Sequence, residues 1–340
     1  MLQVEDEIAR EITRQVGVSV ALNSSPKLNR HIPNAEAHED YLLGRYYWNK
    51  RTPEGWRIGA KHFRRAIDKD PEYAAAYAAL AESVRDTTAT EAKQAAMKAM
   101  ELDSTSGEAR TALGWVELYK DLNVVATEEA FRKAIELDPN YAIVHHSSGE
   151  LLAFKGRFDE AIAEKKQAEV LDPLSLIIKV ALAEVLSLAG QQDAAEKELK
   201  RVFEMDPQYP SAHEVLGDIY TGRGMYKQAI REYETSVANG GDKIWYLRGY
   251  VYAFSGNKQE ALRILSHLQE LDKGSGGESY ELAAVEIGLG NREKALAWLE
   301  KTYQEHNDDG LLSLKRSLIF APLRADPRFQ DLVRRMKLGF

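Results

Sequence analysis

His146 and Glu150 stand four residues apart in AIVHHSSGELLAF (142–154), a stretch with a helical pattern. At that spacing both side chains share one helix face, as an imidazole and a carboxylate do at the start of a zinc site. No third ligand follows at a completing distance, so a solvated His–Glu pair is the simpler reading. The acidic pairs Glu128-Glu129 and Asp159-Glu160 open or precede helical segments. There the positive end of the helix dipole accounts for them without acid–base work. GRG (222–224) and GLG (288–290) fall at turns between helices, not in a phosphate-binding fingerprint. No Walker, serine-elbow, zincin or dinucleotide motif occurs. The chain has no cysteine, which excludes disulfides, thiolate nucleophiles and thiolate metal sites. These residues predict no catalytic centre, cofactor or metal.

The elements that carry them belong to a folded, polar-surfaced chain of 340 residues, 44% hydrophobic and 29% charged. No apolar run is long enough for a membrane span, and LQVEDEIAREI at the start is acidic where a signal peptide is basic. A net charge of −8 argues against nucleic acid as the partner. Residues 45–69 are locally basic, with eight Lys or Arg against Glu54 and Asp68, and read as a solvated helix face.

The organising feature is a rhythm. ELDPNYA (136–142) is echoed by LDP at 171–173, MDP at 205–207 and KDP at 69–71. The prolines fall at Pro71, Pro139, Pro173 and Pro207, at intervals of 68, 34 and 34 residues. Each clear unit runs helical, breaks at a glycine (Gly156, Gly190, Gly224), and runs helical again. Proline then ends the second helix at Pro173 and Pro207, because it lacks an N–H and disfavours helical geometry before it, while the third unit stops at Asn239-Gly240-Gly241. Small residues recur in register. Ala161, Ala195, Ala229, Ala261 and Ala295 open the second helices, while Gly149, Ala183, Gly217, Gly249 and Ala283 sit twelve residues earlier. A mid-helix glycine costs about 1 kcal/mol relative to alanine, so its recurrence implies close helix packing. Eight helix pairs are expected between 35 and 305, the first with a longer turn at WNKRTPEGW (48–56).

This spacing, residue size and punctuation resemble the tetratricopeptide repeat, a 34-residue helix pair. The resemblance implies an all-α, right-handed superhelical α-solenoid that binds protein segments on its concave face. Large apolar residues are usual where His145 and Lys179 stand, so looser packing is expected there. The family's inner-wall slots correspond to Tyr41, Trp48, Glu82, Arg85, Trp115, Tyr119, His146, Glu150, Phe154, Glu184, Glu214, Asp218, Tyr246, Tyr250 and Tyr280. Carboxylates occupy the middle and aromatics the ends, which suits a basic and apolar peptide. Members that clamp a C-terminal carboxylate use Lys and Asn in these slots. Here the slots hold Glu or Asp, which disfavours that ligand.

The ends extend the resemblance. Residues 1–22 read as a helix (2–16) followed by a short extended segment (17–22), the remnant of an upstream domain, with a linker at 23–34. LKRSLIFAPLRADPRFQDLVRRMKL (314–338) reads as a cap within 306–340. Both are similar to the flanks of repeats in bacterial multidomain signalling proteins, where a winged-helix regulator, nucleotide cyclase or protein kinase precedes the array. The implied role is a non-catalytic scaffold in the cytoplasm, or in the periplasm where the whole protein is membrane-tethered. No nucleic-acid or membrane contact is expected of this region. The alternative is self-association through the N-terminal segment, making a homo-oligomer.

Overall fold

The Asp-Pro steps end helices as their chemistry requires. Asp138, Asp172 and Asp206 take φ of −143°, −134° and −143°, leaving the helical region ahead of each proline. Each still donates its N–H to the residue four before it, and its carbonyl then starts the turn into the next helix. Asp103, with Ser104 in the proline slot, makes the same turn by accepting from Ser106 N at 3.1 Å. Gly156, Gly190 and Gly224 adopt φ of 74°, 79° and 70° at the turns inside successive pairs, where a side chain would be strained.

The computed structural model describes residues 31–84, 89–121, 123–241, 245–275, 277–305, 314, 317 and 319–336. The expected helix at 2–16, the extended segment at 17–22 and the linker up to residue 30 lie outside them. Among the described residues the protein is all-α, of the α-solenoid class, with seventeen α-helices and no strand. None of these helices is long and apolar enough to cross a membrane.

The chain divides into two units, 1–147 and 148–340. The first holds α1 (Ala35–Trp48), α2 (Pro53–Lys69), α3 (Ala74–Val84), α4 (Ala89–Leu102), α5 (Gly107–Asp121), α6 (Val124–Leu137) and the start of α7 (Ala142–Phe154). The second holds the rest of α7, then α8 (Phe158–Leu171), α9 (Leu176–Leu188), α10 (Gln192–Met205), α11 (Pro210–Gly222) and α12 (Tyr226–Ala238). It continues with α13 (Trp245–Phe254), α14 (Lys258–Ser275), α15 (Ser279–Gly288), α16 (Arg292–Gln304) and α17 (Pro327–Arg335). Consecutive helices pair, from α1 with α2 to α15 with α16. In the longer first turn Arg51 takes φ 53° and lays its guanidinium 3.6 Å from the centre of the Trp48 ring.

The small residues have a more specific task than mutual approach. Ala161, Ala195, Ala229, Ala261 and Ala295 are all fully buried. A Cβ on Gly44, Gly114, Gly149 or Gly217 would come within 3.0 Å of Phe63, Phe131, Lys165 or Tyr233, respectively. Each of these glycines is thus a seat for one long side chain of the second helix. Backbone contact accompanies it, since a Gly149 Cβ would lie 3.1 Å from the Ala161 carbonyl. Ala183 and Leu199 fill the same two slots in the α9–α10 pair, both buried in one cluster.

Packing is not loose at His145 and Lys179. His145 is 7% exposed and Lys179 2%. Each brings its polar head to a partner: His145 Nε2 lies 2.9 Å from the Pro139 carbonyl, and Lys179 Nζ donates to Glu169 at 2.9 Å. Hydrogen bonding replaces the apolar contact the repeat usually makes there.

Where the second unit ends, α17 lies on α16. Phe320, Leu323, Phe329, Leu332 and Met336 are buried, and Arg328 forks onto Glu293 at 2.7 and 2.9 Å. Asp326 caps α17 by accepting from Arg328 N at 2.9 Å.

One half-buried pair gives the second unit a pH dependence. Burial lowers the His213 imidazole's pKa, but the Glu232 carboxylate at 2.7 Å and the Pro207 carbonyl at 3.0 Å outweigh it, and the net shift is upward. A raised folded pKa stabilises below the ordinary histidine value near 6.5, and that contribution is lost as pH climbs through the folded value. The half-buried pair is worth less than about 1 kcal/mol. Glu232→Gln is therefore expected to lower the thermal midpoint at about pH 5.5 more than at about pH 8.5. Equal losses at both pH values would refute the coupling.

Candidate functional site

First helices of consecutive pairs turn one face the same way because positions three and four apart stack along a helix. In α9 that face carries Glu184, Ser187 and Leu188; in α11, Val215, Asp218, Thr221 and Gly222; in α13, Tyr246, Leu247 and Tyr250; in α15, Tyr280. Together with Tyr233 of α12 and Ser317, Ile319 and Ala321 ahead of the cap helix, they enclose a cavity of about 460 Å³.

Hydrogen bonds fix the walls. Tyr233 Oη donates to Asp218 Oδ1 at 2.7 Å and lies 3.1 Å from the Thr221 hydroxyl. One turn earlier on α11, Glu214 accepts from Ser236 Oγ at 2.7 Å. The rings of Tyr246 and Tyr280 meet edge to face, 5.8 Å apart at 74°. Tyr280 in turn meets Phe320 at 5.3 Å and 68°. Burial first, then the neighbouring Tyr280, Asp218, Glu281 and Glu214, drives the Tyr246 hydroxyl well above its ordinary value. Burial also raises the Tyr250 hydroxyl's pKa, with Tyr226 adding to it. Both phenols are therefore neutral hydrogen-bond donors at physiological pH.

Of the expected inner-wall residues, the cavity gathers Glu184, Asp218, Tyr246, Tyr250 and Tyr280, with Glu214 beside it. In the first unit the slots serve internal packing. Tyr41 donates to Glu108 at 3.0 Å, and Arg45 pairs with the same carboxylate at 3.3 Å. Glu82 is 7% exposed and adds to the field around both. Trp48, Trp115 and Phe154, three of the inner-wall aromatics, are each at most 6% exposed. Trp115 shows why: its ring sits 5.5 Å from Phe131, the occupant of the Gly114 seat, and its Nε1 donates to Ser147 at 2.9 Å. Arg85 and the side chain of Tyr119 lie outside the described residues.

His146 and Glu150 both lie on α7. Lys165, fully buried over Gly149, places its Nζ 3.1 Å from the Glu150 carboxylate. Among the described residues no group of three His, Cys, Asp or Glu could hold a metal. The basic run is extensively paired: Arg57 with Glu54, Arg64 with Glu91, and Arg65 and Lys69 with the buried Asp40.

The structure also brings in residues that sequence patterning passed over. Tyr233 was legible in principle, since it occupies the slot of Phe63 and Phe131. Ile319 and Ala321 had no local signal, because they line the cavity from outside the repeated helix pairs. The first unit has a smaller cleft of about 280 Å³, lined by Tyr73, Glu108, Asp138 and Tyr141 among others.

Residues 137–253 match the model of the tetratricopeptide repeat-like domain, and residues 242–274 match a tetratricopeptide repeat model. No curated protein matches the chain at a significant level. Among solved structures it is similar to yeast Tom70, with 16% identity, a TM-score of 0.52, and 98% of this chain covering 77% of that one. It is also similar to the APC/C hetero-tetramer Cut9-Hcn1, with 14% identity and a TM-score of 0.63. There 90% of this chain covers 57% of the other, so the match spans little more than half of that protein. These likenesses concern the fold.

Proposed function

We propose that this tetratricopeptide-repeat protein, whose matched repeats span residues 137–274, is a non-catalytic scaffold that holds a segment of another polypeptide against its second unit. The observation that carries this reading is convergence. Side chains from the first helices of four consecutive pairs meet at one cavity large enough for several residues of an extended or helical peptide. The walls supply phenol donors, carboxylate acceptors and apolar patches, the makings of recognition. The finer role we propose is the sensory or scaffolding arm of a bacterial signalling or transcriptional regulator. The phrase PLRADPRF (322–329), leading into the final helix, supports it.

A random peptide library displayed on phage, panned against the full chain, tests the groove. Selected peptides are expected to lose at least tenfold in affinity on Ser187→Trp, which fills the cavity from a half-buried wall position. Exposed Lys227→Ala on α12 should leave them unchanged. Failure to select any peptide sensitive to Ser187→Trp, in a variant that melts like the parent, would sink the reading.

A further inference from the structure

Among its described lining residues, this cavity of the second unit carries one electrical sign. Its described lining residues include the carboxylates of Glu184 and Asp218 and four tyrosines, and no Lys, Arg or His. Leu188, Val215, Leu247 and Ile319 line the same space. A guest that satisfies all three surfaces needs an apolar stem, a cationic head and a face that lies on aromatic rings.

Lysine and arginine both supply stem and charge. The ring geometry separates them. Tyr246 and Tyr280 stand nearly perpendicular, at 74°, so a flat group laid on one ring turns its edge toward the other. A guanidinium is flat, weakly hydrated, and forked to reach an acidic pair, whereas an ammonium is a compact and strongly hydrated point charge. A peptide carboxylate entering the same space would face Glu184 and Asp218 at close range, a like-charge contact that costs several-fold or more in affinity. The chain's net charge of −8 steers a basic segment in the same direction.

We infer that the groove selects an arginine-bearing segment, with the guanidinium seated between the Tyr246, Tyr250 and Tyr280 rings and the Glu184 and Asp218 carboxylates. The inference rests on the groove being a peptide site, and the test separates the two. Peptides recovered by the panning described above, sensitive to Ser187→Trp, are resynthesised with each arginine changed to lysine or to its neutral isostere citrulline. Titration against the full chain is expected to show at least tenfold weaker binding for citrulline at one position and a smaller loss for lysine. Glu184→Gln with Asp218→Asn should erase the preference for arginine over citrulline. The amide at 218 retains an acceptor for Tyr233, and circular dichroism checks the fold. Groove-dependent peptides without arginine, or with arginines that citrulline replaces at no cost, would overturn the inference and leave the groove intact. The absence of any groove-dependent peptide would overturn both.

Discussion

Ala229→Arg is expected to unfold the middle of the second unit well below the temperature at which the parent chain melts. Ala229 is fully buried: it has no solvent-accessible surface and shares a cluster with Tyr233 and Val251, with Tyr220, Ile230 and Tyr250 packed around it. Two costs then add. Forcing extra side-chain volume into a filled core typically costs about 1–3 kcal/mol. A buried charge without a counter-ion costs about 3–5 kcal/mol more, because its hydration is lost and nothing replaces it. The guanidinium can escape part of the second cost only by prising α11 and α12 apart, which forfeits the Gly217 seat. Domain stabilities are about 5–15 kcal/mol, so the loss is a large fraction of what is present. Repeat stacks unfold in neighbouring blocks, so hydrogen exchange should show α11 to α13 losing protection first, with α2 and α4 little changed. Thermal melting gives the simplest reading. A midpoint like the parent's would mean that Ala229 is not in the helix contact assigned to it.

Much of this architecture was legible because it depends on local backbone chemistry. Asp138-Pro139, Asp172-Pro173 and Asp206-Pro207 end helices through steric rules that act within two residues, and they do so in the structure. The alanines opening second helices were legible for another reason: only a small residue fits, so identity repeats along with position. The seat's occupant hides from that kind of reading. Phe63, Phe131, Lys165, Leu199 and Tyr233 hold one slot with four different kinds of side chain, because the requirement is length and fit rather than chemistry. Lys165 is the extreme case. A lysine in sequence signals a surface, yet here its stem covers Gly149 and its head reaches Glu150, so it is fully buried.

The inner wall was legible as a face and illegible as a depth. Repeat register told which residues share a side of each first helix, and Glu184, Asp218, Tyr246, Tyr250 and Tyr280 among them line one cavity. It could not tell that Trp115 would be drawn down onto Phe131 or that Trp48 would lie beneath Arg51. Those outcomes are decided by neighbours distant in sequence. A large ring gains more from burial against another ring than from facing water, roughly 25 cal/mol for each Å² covered, so it goes inward wherever a seat leaves room.

That coupling between seat and occupant yields the second large effect. Gly217→Ala and Tyr233→Leu, each destabilising alone, are expected to be markedly less costly together. A Cβ at 217 would come within 3.0 Å of the Tyr233 ring, which is fully buried and held by hydrogen bonds to Asp218 and Thr221. The ring cannot step aside without breaking them. Relieving the mid-helix glycine contributes about 1 kcal/mol. The overpacking penalty of about 1–3 kcal/mol exceeds that gain, so the alanine variant loses stability. Tyr233→Leu alone leaves an unfilled space over Gly217 and removes the hydroxyl's two contacts, at about 1–3 kcal/mol. Combined, the two substitutions rebuild the Ala183–Leu199 arrangement of the preceding pair, in which the larger seat residue and the shorter occupant compensate. Denaturant melts of the four proteins should give an interaction energy of about 1–3 kcal/mol in favour of the double variant. Strict additivity would show that Gly217 and Tyr233 do not share a contact, and the seat-and-occupant account of the repeat would fail with it.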